Sequence, residues 1–213
     1  MRPAGERGAM AGNRTKVLVE IALTVALGAV LHFVRVWQMP AGGTVSLEML
    51  PIFVLALRRG PLVGVAAGAL LGLVDLGLEP FVVHWAQFLL DYPVAFALVG
   101  LSGVFAPTWR AASRDGRMKR TALWILPLAV VTGALGRYVA HFISGVIFFA
   151  TADFGGPLAN GASPFATLAA VRSVSVYSAV YNLYVPLSAL GCLVALFAVM
   201  PALERTLPTE GPS

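Results

Sequence analysis

Six apolar stretches, separated by short polar or Gly/Pro-rich pieces, constrain this chain more than any motif in it. They run over roughly 17–36, 46–57, 61–78, 83–105, 122–150 and 173–200. A helix of about 20 apolar residues, rising about 1.5 Å per residue, crosses the hydrocarbon of a bilayer. Every backbone polar group in lipid needs an internal partner, so helices are the economical form for such runs. The second stretch is short and holds Pro51, so it is expected to start below the membrane surface or to be partly unwound. Charge excludes the soluble alternative. Only 12% of residues are charged, against about 25% in soluble domains, and the mean hydropathy is +0.83. The expected fold class is an all-α integral membrane protein, a bundle of six transmembrane helices. One domain over 17–200 lies between short tails at 1–16 and 201–213, with Pro40–Gly43 and Gly155–Pro164 as loops.

The basic start followed by the apolar run Val17–Val30 has the outline of a signal peptide. Further spans follow it, so it is read as a retained first helix. The net charge of +5 follows membrane topology here and does not point to nucleic acid. Arg2, Arg7, Arg14 and Lys16 precede the first span. Arg58 and Arg59 follow the second, and Arg110, Arg114, Arg117, Lys119 and Arg120 fill the loop after the fourth. The opposite side carries only Arg35 and Arg172, with Glu79 and Asp153 nearby. Positive charge collects on the cytoplasmic side, so both termini are expected there, in a multi-pass protein of the cell membrane. The single Cys192 excludes an internal disulfide.

Small residues mark where helices can approach closely. Gly60, Gly64, Gly68 and Gly72 recur every four residues along the third span, leaving a groove suited to packing within the monomer. Ala22 and Ala26 repeat that spacing on the first span.

A charged group in mid-membrane is costly, by about 2.5–3.5 kcal/mol on insertion scales, and asks for a reason. Asp91 in the fourth span and Arg137 and His141 in the fifth are such groups. By residue count all three lie at overlapping depths in the outer half of the membrane. Arg137, His141 and Gly145 are four apart and share one face, flanked by Tyr138. Tyr177, Tyr181 and Tyr184 form a stripe at i, i+4 and i+7 on the last span. Asn182 joins that stripe only if the helix is irregular there, or if the site wraps around both faces of the helix. Each group also has a plainer reading. Asp91 and Arg137 would serve as a structural ion pair, His141 as a satisfied interior histidine, and the tyrosines as an interfacial belt. Convergence of acid, base, histidine, amide and aromatics from three helices is instead the make-up of a pocket for a polar, aromatic small molecule.

Several chemistries are absent. No G-x-x-x-x-G-K-[ST] phosphate loop occurs. Three scattered histidines and one cysteine give no metal-ligand spacing, and no serine has a nucleophile-elbow context. No enzyme, metal or cofactor is expected.

Taken in order, Glu20-Ile21-Ala22, Leu50-Pro51-Ile52, Leu57-Arg58-Arg59-Gly60, Asp91-Tyr92, Arg137-Tyr138 with His141 and Gly145, and Tyr177 with Asn182 carry a resemblance. Over residues 17–200 the chain resembles the thiamine-specific S components of energy-coupling-factor vitamin importers. That resemblance implies a six-helix bundle with a vitamin site near the outer face, capped by the loop after the first helix. It also implies a transmembrane coupling protein and two cytoplasmic ATPases as partners. The substrate contacts it implies are Asp91, Tyr92, Arg137, His141, Tyr177 and Asn182, with Phe149 and Trp37 supplying stacking rings. Ala22 and Ala26 would face the coupling protein. Asp91 stands where the family has glutamate, Arg137 where it commonly has lysine, and Phe149 where it usually has tryptophan. A self-sufficient proton-coupled carrier with Asp91 and His141 as relay, or a carrier of a thiamine pyrimidine precursor, remains the alternative, as does a merely structural role for the polar groups.

Overall fold

A computed structural model describes residues 4–39, 43–82, 85–151 and 164–206, with side chains described over 13–39, 43–82, 85–148 and 172–202. Helix α1 (Ala4–His32) leads into a short antiparallel hairpin of β1 (Arg35–Gln38) and β2 (Thr44–Ser46). Helices α2 (Leu50–Arg59) and α3 (Pro61–Leu78) follow. The next span is continuous but changes pitch along its length. It runs through α4 (Trp85–Leu89), a π-helical turn (Leu90–Val94), α5 (Ala95–Val99), a 3-10 stretch (Gly100–Phe105) and α6 (Ala106–Arg114). Helices α7 (Met118–Thr151), α8 (Pro164–Tyr181) and α9 (Tyr184–Thr206) complete the chain.

Among the described residues, five helical units are long and apolar enough to cross a membrane: Asn13–His32, Pro61–Leu78, Trp85–Arg114, Met118–Phe148 and Arg172–Ala202. The second expected span is different. Helix α2 has ten residues, a length of about 15 Å or half the hydrocarbon. Pro51, Ile52, Phe53, Leu55, Ala56 and Leu57 are all buried in it, so it is wrapped by the other helices. Pro51 suits its first turn and Pro61 that of α3, because the N–H that proline lacks has no partner there anyway. Between them Gly60 takes φ +99° and donates its N–H to Ala56 O at 2.8 Å, a turn that disfavours any Cβ.

The first span ends at His32, and Arg35–Gln38 turns into strand. The basic loop expected after the fourth span is also shorter than the sequence suggests. Arg110 and Arg114 lie on α6, and Lys119 and Arg120 on α7.

The glycine stripe packs within the monomer. A Cβ at Gly68 would overlap the carbonyl of Phe96, and one at Gly72 the carbonyl of Tyr92. Gly100 and Gly103 reciprocate against Gly64 and Gly60, so α3 and the following span touch backbone to backbone. Phe53, Leu57, Phe96, Trp109, Ile125 and Leu196 fill a core between these helices and α7 and α9. Leu23, Leu27, Val131, Leu135, Leu190 and Val194 point outward and are exposed, a surface suited to lipid. Glu20 on α1 accepts from Arg59 Nε at 2.5 Å and Nη2 at 2.7 Å, a two-point tie from α1 to the end of α2.

Candidate functional site

At the end of the bundle away from Arg58 and Arg59, the helices part around a cavity of about 350 Å3. That volume lies in the range of small-molecule sites, roughly 300–1,000 Å3. One wall comes from α7, where the four-residue spacing of Arg137, His141 and Gly145 brings all three to the lining. Asp91 arrives from the π-helical turn. Pro93 has no N–H to continue an α-helical ladder, and the widened turn accommodates its ring.

These groups form a chain. Arg137 lies 4.0 Å over the Phe96 ring, and its Nε donates to His141 Nε2 at 3.2 Å. A guanidinium only donates, so His141 Nε2 accepts and Nδ1 carries the proton. Nδ1 then donates to Asp91 Oδ1 at 2.8 Å, while Ser144 Oγ donates to Asp91 Oδ2 at 2.8 Å. The direct Asp91–Arg137 pair considered from sequence is replaced by this relay: among the described residues no ion pair joins the two, and the imidazole sits between them. Tyr184 meets the His141 ring edge-on at 5.7 Å. Asn182 donates to Ser178 O at 2.9 Å and His141 O at 3.3 Å. Gly145 makes this closeness possible, since a Cβ there would collide with Ser178 Oγ.

A second polar group lies across the cavity. His32 Nδ1 is 2.6 Å from Asp75 Oδ1 and 3.7 Å from Glu48 Oε1. These atoms are buried, and despite the short approach none is aligned for a hydrogen bond. Arg35 Nη2 is 2.8 Å from His32 Nε2 and 2.5 Å from Glu79 Oε2, and Gln38 donates to Glu79 at 3.3 Å. The Arg35 hydrogen bond holds the Glu79 carboxyl below the ordinary carboxylate range, against partial burial. Tyr92 OH accepts from Phe81 N at 2.7 Å and donates to Glu79 O at 3.2 Å, fixing the segment after α3.

Three donors within 4.8 Å of one another (His32, Glu48 and Asp75) have the spacing of a metal site. The histidine tautomer speaks against a metal. Arg35 donates to Nε2, so Nδ1 holds the proton and offers no lone pair to an ion.

Of the residues expected from sequence, Asp91, Tyr92, Arg137, His141 and Asn182 line the cavity. Trp37 and Tyr177 do not. Both are exposed, Trp37 on β1 and Tyr177 stacked on Tyr181 at 6.0 Å. The reason is a break between α8 and α9: Asn182 and Leu183 form a turn, so the tyrosines do not share one continuous helical stripe. That turn also supplies the irregularity Asn182 needs to reach the site. Tyr181, Tyr184 and Phe148 line the cavity instead. The side chain of Phe149 lies outside the described residues. Sequence reasoning does not find His32, Glu48 and Asp75. The signal was available in Asp75, an acid inside an apolar span.

Membrane-length apolar helices gathered around a partly open cavity with a polar lining define a helical membrane protein of the solute-binding class. Residues 18–208 match the family described as Thiamine transporter protein (Thia_YuaJ). The chain belongs to that family and is a transport protein, not an enzyme. It is 36% identical over 197 residues to the thiamine transporter ThiT of Bacillus subtilis (strain 168), covering 91% of this chain and 94% of that protein. It is 32% identical over 137 residues to ThiT of Lacticaseibacillus paracasei, covering 62% and 68%. The solved structure of ThiT from Listeria monocytogenes superposes with a TM-score of 0.66 at 26% identity, covering 90% of this chain and 98% of that one.

Proposed function

We propose that this protein is the substrate-binding S component of an energy-coupling-factor importer and captures thiamine at the outer face of the cell membrane. A transmembrane coupling protein and two cytoplasmic ATPases would then drive uptake. The observation that carries the reading is the Asp91–His141–Arg137 relay walled by Tyr184. It offers a carboxylate, a neutral imidazole and an aromatic edge to a flat heterocycle. Asp91 accepts from the aminopyrimidine, and Arg137 acts through His141 and so stays back from a cationic ligand. The orientation with both termini and Arg110–Arg120 in the cytoplasm puts this cavity toward the outside. Ala22 and Ala26 are exposed on α1, as a docking face for the coupling protein requires.

Calorimetric titration of the purified protein tests the ligand. Thiamine is expected to bind far more tightly than riboflavin or biotin, and no thiamine binding sinks the reading. Asp91→Asn and His141→Ala should each weaken binding by about ten- to two-hundred-fold, the worth of a buried hydrogen bond to a charged group. Phe149→Trp should hold or improve affinity. The hydrogen-bonded Asp91–His141 pair also suits a proton-coupled carrier. Uptake that persists in cells lacking the ATPases would favour that carrier instead.

A further inference from the structure

The cavity has two poles of like construction and unlike charge. In each, a histidine has a carboxylate at Nδ1 and a guanidinium at Nε2: Asp91–His141–Arg137 on one side, Asp75–His32–Arg35 on the other. At the first pole the formal charges of Asp91 and Arg137 cancel. At the second, Glu48 and Glu79 stand beside Asp75 with only Arg35 to oppose them. Arg35 is turned to Glu79 and to the far nitrogen of His32, so it answers neither Glu48 nor Asp75. Glu48 is 2% exposed, lines the cavity, and leaves Oε1 without a hydrogen bond. A buried carboxylate oxygen facing a cavity, with its nearest donor, His32 Nδ1, 3.7 Å away and beyond hydrogen-bond reach, is a site that awaits a positive partner.

We propose that Glu48 and Asp75, buttressed by His32, form the subsite for the cationic group of the ligand, an aromatic or quaternary ring nitrogen. The assignment rests on the thiamine reading and orients the molecule. Its thiazolium lies toward α1 and α3, and its aminopyrimidine toward Asp91, His141 and Asn182. An organic cation fits where a metal does not, because it needs no lone pair from His32 Nδ1. It is attracted through space by both carboxylates and asks for no coordination geometry. The charge asymmetry also gives the cavity a direction that the relay at Asp91 alone lacks.

The test compares thiamine with its isostere in which a neutral thiophene replaces the thiazolium, both titrated calorimetrically into the full-length protein in detergent. The parent should prefer thiamine by about tenfold or more, the worth of one buried charged contact. Glu48→Gln and Asp75→Asn keep the shape and remove one charge each. Each should reduce that preference severalfold while leaving the affinity for the isostere near that of the parent. Asp91→Asn should weaken both compounds together and leave the preference standing. A parent that binds both equally well overturns the subsite without any variant, and so do variants that weaken both compounds in proportion. Saturable Zn2+ binding lost in Asp75→Asn would assign a metal and overturn it as well. Binding of neither compound by the parent overturns the thiamine reading itself, and the subsite with it.

Discussion

Two glycines of α3 make opposite predictions from the same substitution. At Gly72 an added methyl would lie 2.6 Å from Tyr92 C and 2.8 Å from Pro93 Cα, both backbone atoms that cannot rotate away. Non-bonded carbons settle at about 3.5–4.0 Å, so Gly72→Ala must part α3 from the π-helical turn by roughly an ångström. Overpacking of this kind destabilises by about 1–3 kcal/mol. The displaced turn carries Asp91 and Tyr92, so ligand affinity should fall with stability. At Gly77 nothing lies within 4 Å, and Gly77→Ala should gain up to about 1 kcal/mol of helix propensity. Thermal unfolding in detergent should therefore show Gly72→Ala below the parent and Gly77→Ala level with it or above. Thiamine titration should separate them in the same order. Equal unfolding temperatures and equal affinities for the two variants would refute the claim that backbone contact at Gly72 sets the position of Asp91.

Topology is open to labelling with an impermeant thiol reagent on intact cells in a Cys192→Ala background. Ala162→Cys should react and Ser113→Cys should not, and the reverse pattern inverts the protein. Ala26→Trp should abolish assembly with a coupling protein and uptake while ligand affinity in detergent stays within a few fold; unaltered uptake removes α1 as the docking face. Acid should loosen the tie between the hairpin and the segment after α3. The folded Glu79 carboxyl lies below its unfolded value, so its contribution is complete above that value and is lost as pH falls through the folded one. Hydrogen exchange at Arg35–Gln38 should quicken on acidification in the parent but change little in Glu79→Gln.

Long apolar runs and the placement of charge make the helical membrane architecture legible in the sequence. Asp91, Arg137 and His141 are legible too, because each interrupts an apolar run, where a charged group asks for a reason. Other features are not legible for physical reasons. Arg35 and Val36 fall within the expected first span, and only pairing of Arg35–Gln38 with Thr44–Ser46 makes them strand. His32 closes its helix, where a polar group looks interfacial, and although Asp75 interrupts an apolar span, its meeting with His32 and Glu48 depends on how α1 and α3 pack. Tyr184 belongs to the tyrosine stripe by spacing but reaches His141 only because the helix breaks at Asn182.

The π-helical turn at Leu90–Val94 has a consequence for counting. One residue more than an α-helix needs is lodged there, and each residue of an α-helix advances about 100° around the axis. Trp85–Leu89 and Ala95–Val99 are therefore two helical pieces set in different phase. Below the turn, the phase is dictated by Phe96 and Gly100 against the glycines of α3. Above it, the phase is dictated by Asp91 meeting His141. No uniform helix satisfies both, and the surplus residue works as a vernier that lets binding and packing each keep their own angular setting.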